Sequence, residues 1–414
     1  MNQGILSRFT LDRVATAAVA IWLAAQIVCI IVFWGQPQYS DADIYQTFAY
    51  DCYCRGMWYP MEEQLYEAFI FNPGYVNFLV LQLHLFGSFL YNGIIGLVLN
   101  VALLFSIRAI VGSLVGDRAK QWATVFFCLL SSNWFFVVLT LTDLLYATLL
   151  YVGLMLIQKR QGLLVASALL MCYANYIRPL FPIFIIPILL YMLYKHFGWR
   201  RIAVYVGSYA VFSALLTFAV LNNTSAQGSA GGTTLGFNLA MGANDKMNGT
   251  MNHAVFEEGN YGYVEGRMTA YEMDAFWRDG AIGWIKSNLP KYLLYAPVKF
   301  FRLWWGDYYP YGPLYGEQMM DESTSKADVV GRALRVVGFS LVYYVVMVLF
   351  LVALWKLRRR LFGYWGIFLI PVILGSAMHM VLYGAPRYHY PYMPIVIMYA
   401  SMAVLSFEKK NFLP

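Results

Sequence analysis

Residues 14–34 read VATAAVAIWLAAQIVCIIVFW, with no charged side chain over the whole run. About 20 apolar residues cross the hydrocarbon of a bilayer, so this stretch is long enough to span. It carries no small-residue cleavage site and reads as a retained helix. The rest of the chain follows suit. Of 414 residues 60% are hydrophobic and only 12% charged, against about 25% charged in a soluble domain. Lipid offers exposed charges no partner, and the deficit therefore marks a polytopic membrane protein.

Further spans are predicted at 91–111, 121–140, 143–157, 163–177, 179–195, 201–221, 331–355, 362–383 and 391–407. In segment 74–90, Asn77, His84 and Ser88 share one narrow stripe at 100° per residue, so its periodicity fits either a span or an interfacial helix. Charge decides between them. Arg108, Arg118 and Lys120, then Lys159 and Arg160, Lys195, Arg200 and Arg201, and Lys356 with Arg358, Arg359 and Arg360 flank short loops. Arg8, Arg13, Lys409 and Lys410 flank the ends. All are cytoplasmic only if 74–111 crosses once, which lays 74–90 flat on the outer surface. The outer segments are then 35–90 and 222–330. All but three of the 22 acids (Asp12, Asp117 and Glu408) fall on or near the outer face.

The net charge of +7 reflects these loops and gives no case for nucleic acid. No cytoplasmic loop is long enough for a nucleotide-binding domain, and no phosphate-cradling glycine loop occurs. GSAGG at 228–232 reads as a flexible loop. The absence of an internal repeat disfavours inverted-repeat transporters. The five cysteines suggest neither a disulfide framework nor a metal site. Residues 280–305 mix Trp, Tyr, Phe, Lys and Arg, a composition suited to an amphipathic segment at the outer interface, as an anchor or as a wall for a lipid-linked substrate.

Just past the first span, Asp41, Asp43 and Asp51 stand close together. Tyr45, Phe48, Ala49 and Cys52 follow Asp41 at helical spacing, which predicts an amphipathic helix over 41–55. Asp41 suits a general base or a helix N-cap, and spacing alone favours the cap. Asp41 and Asp43 diverge on a helix, which argues against a metal pair. Asp143 and Arg178 fall at successive outer turns, as solvated span ends, as an ion pair or as site residues. Arg387 and His389 stand at the outer end of the last span. An Arg fork there suits a phosphate oxyanion. His379 reads as a packing residue.

In chain order, SDADIYQTFAYDCYCRGMWYP (40–60), FNPGYVNFLVLQLHLFG (71–87), LTLTDLLYATLLYVGLML (139–156), GLLVASALLMCYANYIRP (162–179), GFNLAMGAND (236–245) and PRYHYPYMP (386–394) resemble the motifs of membrane-embedded GT-C glycosyltransferases. The kin most resembled are bacterial relatives of protein O-mannosyltransferases and of the lipid A aminoarabinose transferase. The resemblance runs over nearly the whole chain. It implies an all-α polytopic fold of about ten transmembrane helices, with amphipathic juxtamembrane helices in the first outer loop, forming one membrane-embedded domain over 1–414. It implies an inverting glycosyltransferase that takes a sugar from a polyprenyl-phosphate donor to a lipid, glycan or protein acceptor. The active site would face the outside or periplasm of the plasma membrane. Asp41 matches the family's catalytic base and Asp143 its second acid. Arg178 and Arg387 match positions that neutralise the donor phosphate, and Asp43, Tyr45 and His389 become candidate substrate contacts. No cofactor and no metal ligand is implied, with a divalent cation kept as an alternative. Asn72 and Ile44 depart from the Lys and Arg of some relatives, so donor recognition need not be inherited. A polysaccharide polymerase or ligase, and a lipid-linked-sugar flippase, are the rival readings.

Overall fold

The computed structural model describes residues 2–59, 73–159, 161–223, 235–250, 270–310, 314 and 326–408. Asn72, Gly259, Ser323 and the 228–232 loop lie outside the described residues, as do parts of both outer segments. Among the described residues there is helix and no strand.

The chain opens with α1 (Asn2–Val32), then α2 (Asp41–Cys54), α3 (Pro73–Phe86), α4 (Asn92–Leu114), α5 (Asp117–Leu129) and a single turn, α6 (Ser132–Phe135). Next come α7 (Thr142–Lys159), α8 (Leu164–Ile177), α9 (Phe181–Tyr194) and α10 (Trp199–Asn223). The last third holds α11 (Leu235–Gly242), α12 (Ala270–Ser287), α13 (Leu289–Leu303), α14 (Lys326–Leu357), α15 (Tyr364–Val381), a 3₁₀ segment (Pro386–Tyr392) and α16 (Met393–Glu408). Among the described residues six helices are long and apolar enough to cross a membrane, and the shorter apolar stretches 142–158, 164–177 and 182–194 accompany them. This is a multi-pass membrane protein of the expected all-helical class.

The basic loops converge at one end of the bundle. Arg118 pairs with Glu408 at 2.8 Å, Gln121 donates to Asp12 at 2.7 Å and Lys356 to Ser406 at 2.8 Å. The N-terminal part of α1, the start of α5 and the ends of α14 and α16 thus meet there. Ser113 near the end of α4 reaches Gln158 near the end of α7 at 2.7 Å.

One expected span is corrected. Instead of one helix over 121–140, α5 stops at Leu129 and the chain breaks into α6 and irregular backbone before α7. Side-chain chemistry accounts for the break. Asn133 is buried and acts as a hub: its Nδ2 donates to the Phe127 carbonyl and its Oδ1 accepts from Tyr390. Its carbonyl accepts from Trp22 and from Asn100. Non-helical backbone at such depth is tolerated only where protein satisfies it, and these partners do so.

In α2, Ala42, Tyr45, Phe48, Ala49 and Cys52 are buried, the face anticipated by spacing. The cap reading of Asp41 is not supported. Ser40 occupies the N-cap position, no side chain caps the helix, and Asp41 is its first residue, free to turn its carboxylate elsewhere. Residues 280–305 fold as the end of α12 followed by α13. Leu293, Leu294, Val298 and Phe301 of α13 are exposed, while Tyr292, Lys299 and Leu303 are buried. That division is expected of a helix lying along an apolar boundary.

Candidate active site

The start of α2, the start of α7, the end of α8 and the 3₁₀ segment before α16 bring four charges together. Arg387 Nη1 donates to Asp41 Oδ2 at 2.6 Å and to the Tyr309 hydroxyl at 2.9 Å. Arg387 is 9% exposed, against 29% for Asp41. Arg178 Nη2 lies 3.0 Å from Asp143 Oδ1, and its Nε donates to Thr142 Oγ1 at 2.7 Å. Both guanidinium groups address one ring, with the Tyr388 centroid 5.6 Å from Arg178 and 5.3 Å from Arg387. The two cations are therefore no farther apart than those distances together. Desolvated cation–π contacts of this kind contribute about 2 kcal/mol.

The cluster is not saturated. Asp143 is fully buried, yet neither of its oxygens receives a well-aligned hydrogen bond, and Arg387 Nε is buried without a partner. Buried polar groups are nearly always bonded, so such orphans call for an explanation. Tyr45 lies beneath the cluster, edge-on to Tyr75 at 4.9 Å. Its phenol is pushed up by burial first and by Asp41 next. Burial also raises the Tyr309 phenol, against the pull of Arg387. Both hydroxyls stay protonated, so the ionic charge rests on the two acid–guanidinium pairs.

Asp43 is exposed, on the side of α2 that its divergence from Asp41 predicts. His389, named above as a candidate substrate contact, packs against protein. It is buried, with Nδ1 2.9 Å from the Leu303 carbonyl and Nε2 3.8 Å from Asp307, and its ring stacks on Trp304. With both nitrogens so placed, it fastens the segment after α13. His379 is a packing residue as expected, its Nδ1 3.0 Å from the Tyr383 carbonyl and its ring stacked on Tyr388.

Sequence reasoning missed four residues. Asp307 Oδ2 accepts from the Ser132 amide at 3.0 Å and the Ser131 hydroxyl at 3.2 Å. It thereby clamps the 304–310 segment to the break after α5. That clamp brings in Tyr309, the second missed residue. Tyr388, adjacent to Arg387, was the third. Lys299 is the fourth: it is fully buried, donates to the Val381 carbonyl at 3.2 Å and sits 4.2 Å from the Tyr292 centroid. Burial pushes it down to about 8. Its helical register with Tyr292 and Leu303 was the available signal. Glycine makes this fit possible, because a Cβ on Gly384 would overlap the Lys299 carbonyl and one on Gly242 the Leu382 carbonyl.

Among the described residues no group of three or more His, Cys, Asp or Glu gathers as a metal would need. No protein-family model and no curated protein matches the chain. Two solved structures of ArnT from Cupriavidus metallidurans are similar to it at 14% identity over 94% of this chain. The apo form has a TM-score of 0.41 over 77% of its own length. The form bound to undecaprenyl phosphate has a TM-score of 0.44 over 78%. A likeness this loose fixes no residue correspondence and assigns no residue of this chain a role.

Proposed function

We propose that this protein transfers a sugar from a polyprenyl-phosphate carrier to an acceptor hydroxyl at the outer face of the plasma membrane. The carrying observation is the Asp41–Arg387 contact of 2.6 Å, a base and an anion-binding fork on adjoining sides of one unsaturated charged cluster. The motif resemblance to GT-C enzymes supports it independently.

In the reaction, Asp41 takes the proton of the acceptor hydroxyl as its oxygen attacks the anomeric carbon. The bond between that carbon and the phosphate oxygen breaks, and the phosphate leaves with the electron pair. It needs no proton, only cations that stabilise its charge, which Arg387 and Arg178 supply. Direct displacement inverts the anomeric centre. Asp143 balances Arg178 and holds it in place. The proton stays on Asp41 until water removes it.

Mass spectrometry of lipids that co-purify with the protein tests the reading. A polyprenyl-phosphate sugar is expected with the wild type. It should be lost from Arg387→Ala and reduced in Arg387→Lys, which keeps the charge but not the fork. A wild-type protein that retains no polyprenyl phosphate from membranes supplied with it, or an Ala variant that retains it fully, overturns the assignment.

A further inference from the structure

A cavity of about 280 Å³ shares α2 with the charged cluster and differs from it in chemistry. Its walls come from the turn after α1, from Gln46 on α2, and from the first residues of α4. Among the described residues no Asp, Glu, Lys or Arg lines it, although the sequence crowds acids into this region. Its polar side chains are four amides, Gln36, Gln38, Gln46 and Asn92, and Ser88. Gln46 Nε2 and Asn92 Nδ2 both donate to Thr140 Oγ1, at 2.7 and 2.8 Å. Gln36 Nε2 donates to the Val32 carbonyl at 2.9 Å. Gln38, the fourth amide of the lining, is taken at both ends, its oxygen by the Thr140 amide and its NH₂ by the Val138 carbonyl. Each of the other three spends one N–H on protein, and its carbonyl oxygen accepts no protein donor among the described residues. Trp34 stands at the rim, 46% exposed.

Amides held in place with an open oxygen and one open N–H each select a ligand rich in hydroxyl groups, which both donate and accept. The lack of charge selects against phosphate, carboxylate and ammonium, whose burial without a counterion is costly. An indole face at the rim suits the C–H face of a sugar ring. The volume lies at the small end of ligand sites, roughly 300–1,000 Å³, and fits one ring rather than an extended glycan.

Position connects this cavity to the reaction. Gln46 is five residues from Asp41 on α2, about 7.5 Å of helix rise and roughly 140° around the helix. Thr140, which both amides hold, is two residues before Thr142, the hydrogen-bond partner of Arg178. We infer that the cavity seats a neutral sugar residue of the acceptor, on another face of the helix that carries the base. This rests on the transferase reading and narrows its acceptor to a neutral glycoside.

The test is binding, free of turnover. Protein in nanodiscs is titrated with hexyl glucoside, galactoside, mannoside and N-acetylglucosaminide, with hexyl glucuronide and hexyl phosphate as charged controls, and read by saturation-transfer NMR. At least one neutral glycoside should bind, and both controls at least 10-fold more weakly. Gln46→Leu and Asn92→Leu should each weaken the glycoside about 10-fold, the effect of roughly one lost hydrogen bond. Trp34→Ala, which leaves the amide network untouched, should weaken it measurably even where a Leu variant folds poorly. No binding by any neutral glycoside, equal binding of the glucuronide, or wild-type affinity in folded variants overturns the inference. Polyprenyl phosphate binding in the same discs separates the two readings. If that binding persists and depends on Arg387 while no glycoside binds, only the acceptor inference falls. If glycosides bind through Asn92 and polyprenyl phosphate does not bind, the transferase reading falls and the sugar site stands.

Discussion

Asp41→Asn should tighten polyprenyl phosphate binding while it stops transfer, two effects of opposite sign from one atom-for-atom change. Arg387 is engaged by Asp41 at 2.6 Å before any phosphate arrives. A phosphate that reaches this guanidinium must share it with the carboxylate or sit against it. Two unit charges about 5 Å apart repel by roughly 3 kcal/mol at an effective dielectric of about 20. Asp41 is 29% exposed, so solvent screening reduces this to about half. The gain on removing the charge is then about 1.4 kcal/mol, or roughly tenfold in affinity. Asn has nearly the same shape and accepts no proton, so transfer should fall by at least about 100-fold. The assay is titration of the purified variant with a fluorescent short-chain polyprenyl phosphate, alongside sugar transfer in the same lipid. Phosphate should also raise the melting temperature more in the variant, because it replaces the counterion that Arg387 lost. Equal or weaker binding by Asp41→Asn would refute the competition and remove Arg387 as the phosphate cation. Near-normal transfer would remove Asp41 as the base.

Other expectations follow from the same contacts. Arg178→Met leaves the fully buried Asp143 without its cation, which should cost about 3–5 kcal/mol and show as a large fall in melting temperature. Adding Asp143→Asn should restore much of the loss, and a single variant as stable as wild type would show that Asp143 has another partner. Lys299 is held below its ordinary value, down to about 8, so the unfolded chain binds its proton more tightly. Stability should therefore rise with pH from about 8 to 10.5, with Lys299→Met melting higher near pH 7 and losing that part of the slope. Identical pH profiles would show that Lys299 is solvated. Single cysteines at Arg118, Lys159 and Arg358 should resist an impermeant reagent applied outside cells, while ones at Gly259 and Ser323 should react. Outside labelling at 118 would overturn the single crossing of 74–111.

Much of the fold was legible because lipid imposes a simple rule. Apolar length and basic loops gave the helical class, six spans with three shorter apolar helices, and the end of the bundle at which charge gathers. The amphipathic face of α2 was legible for the same kind of reason, since Tyr45, Phe48, Ala49 and Cys52 repeat at helical spacing. Asp41, Asp143, Arg178 and Arg387 could be picked out one by one as charges where charge is scarce. Partnership is a different matter. Asp41 and Arg387 stand 346 residues apart, and no local pattern couples them; spacing alone made Asp41 a cap because it could see only the helix that follows. His389 was picked out for its place beside Arg387, and only the packing shows its ring against Leu303 and Asp307. The break after Leu129 was hidden because an apolar run reads as a span until its buried Asn133 finds partners on three other helices. The amide cavity was silent too, for Gln36, Gln46 and Asn92 are ordinary until Thr140 gathers two of them. Composition and periodicity are set by the solvent each residue meets, so sequence alone determined which segments enter lipid and where charge resides. Which charges face one another depends on contacts between distant segments, and only the tertiary packing decided that.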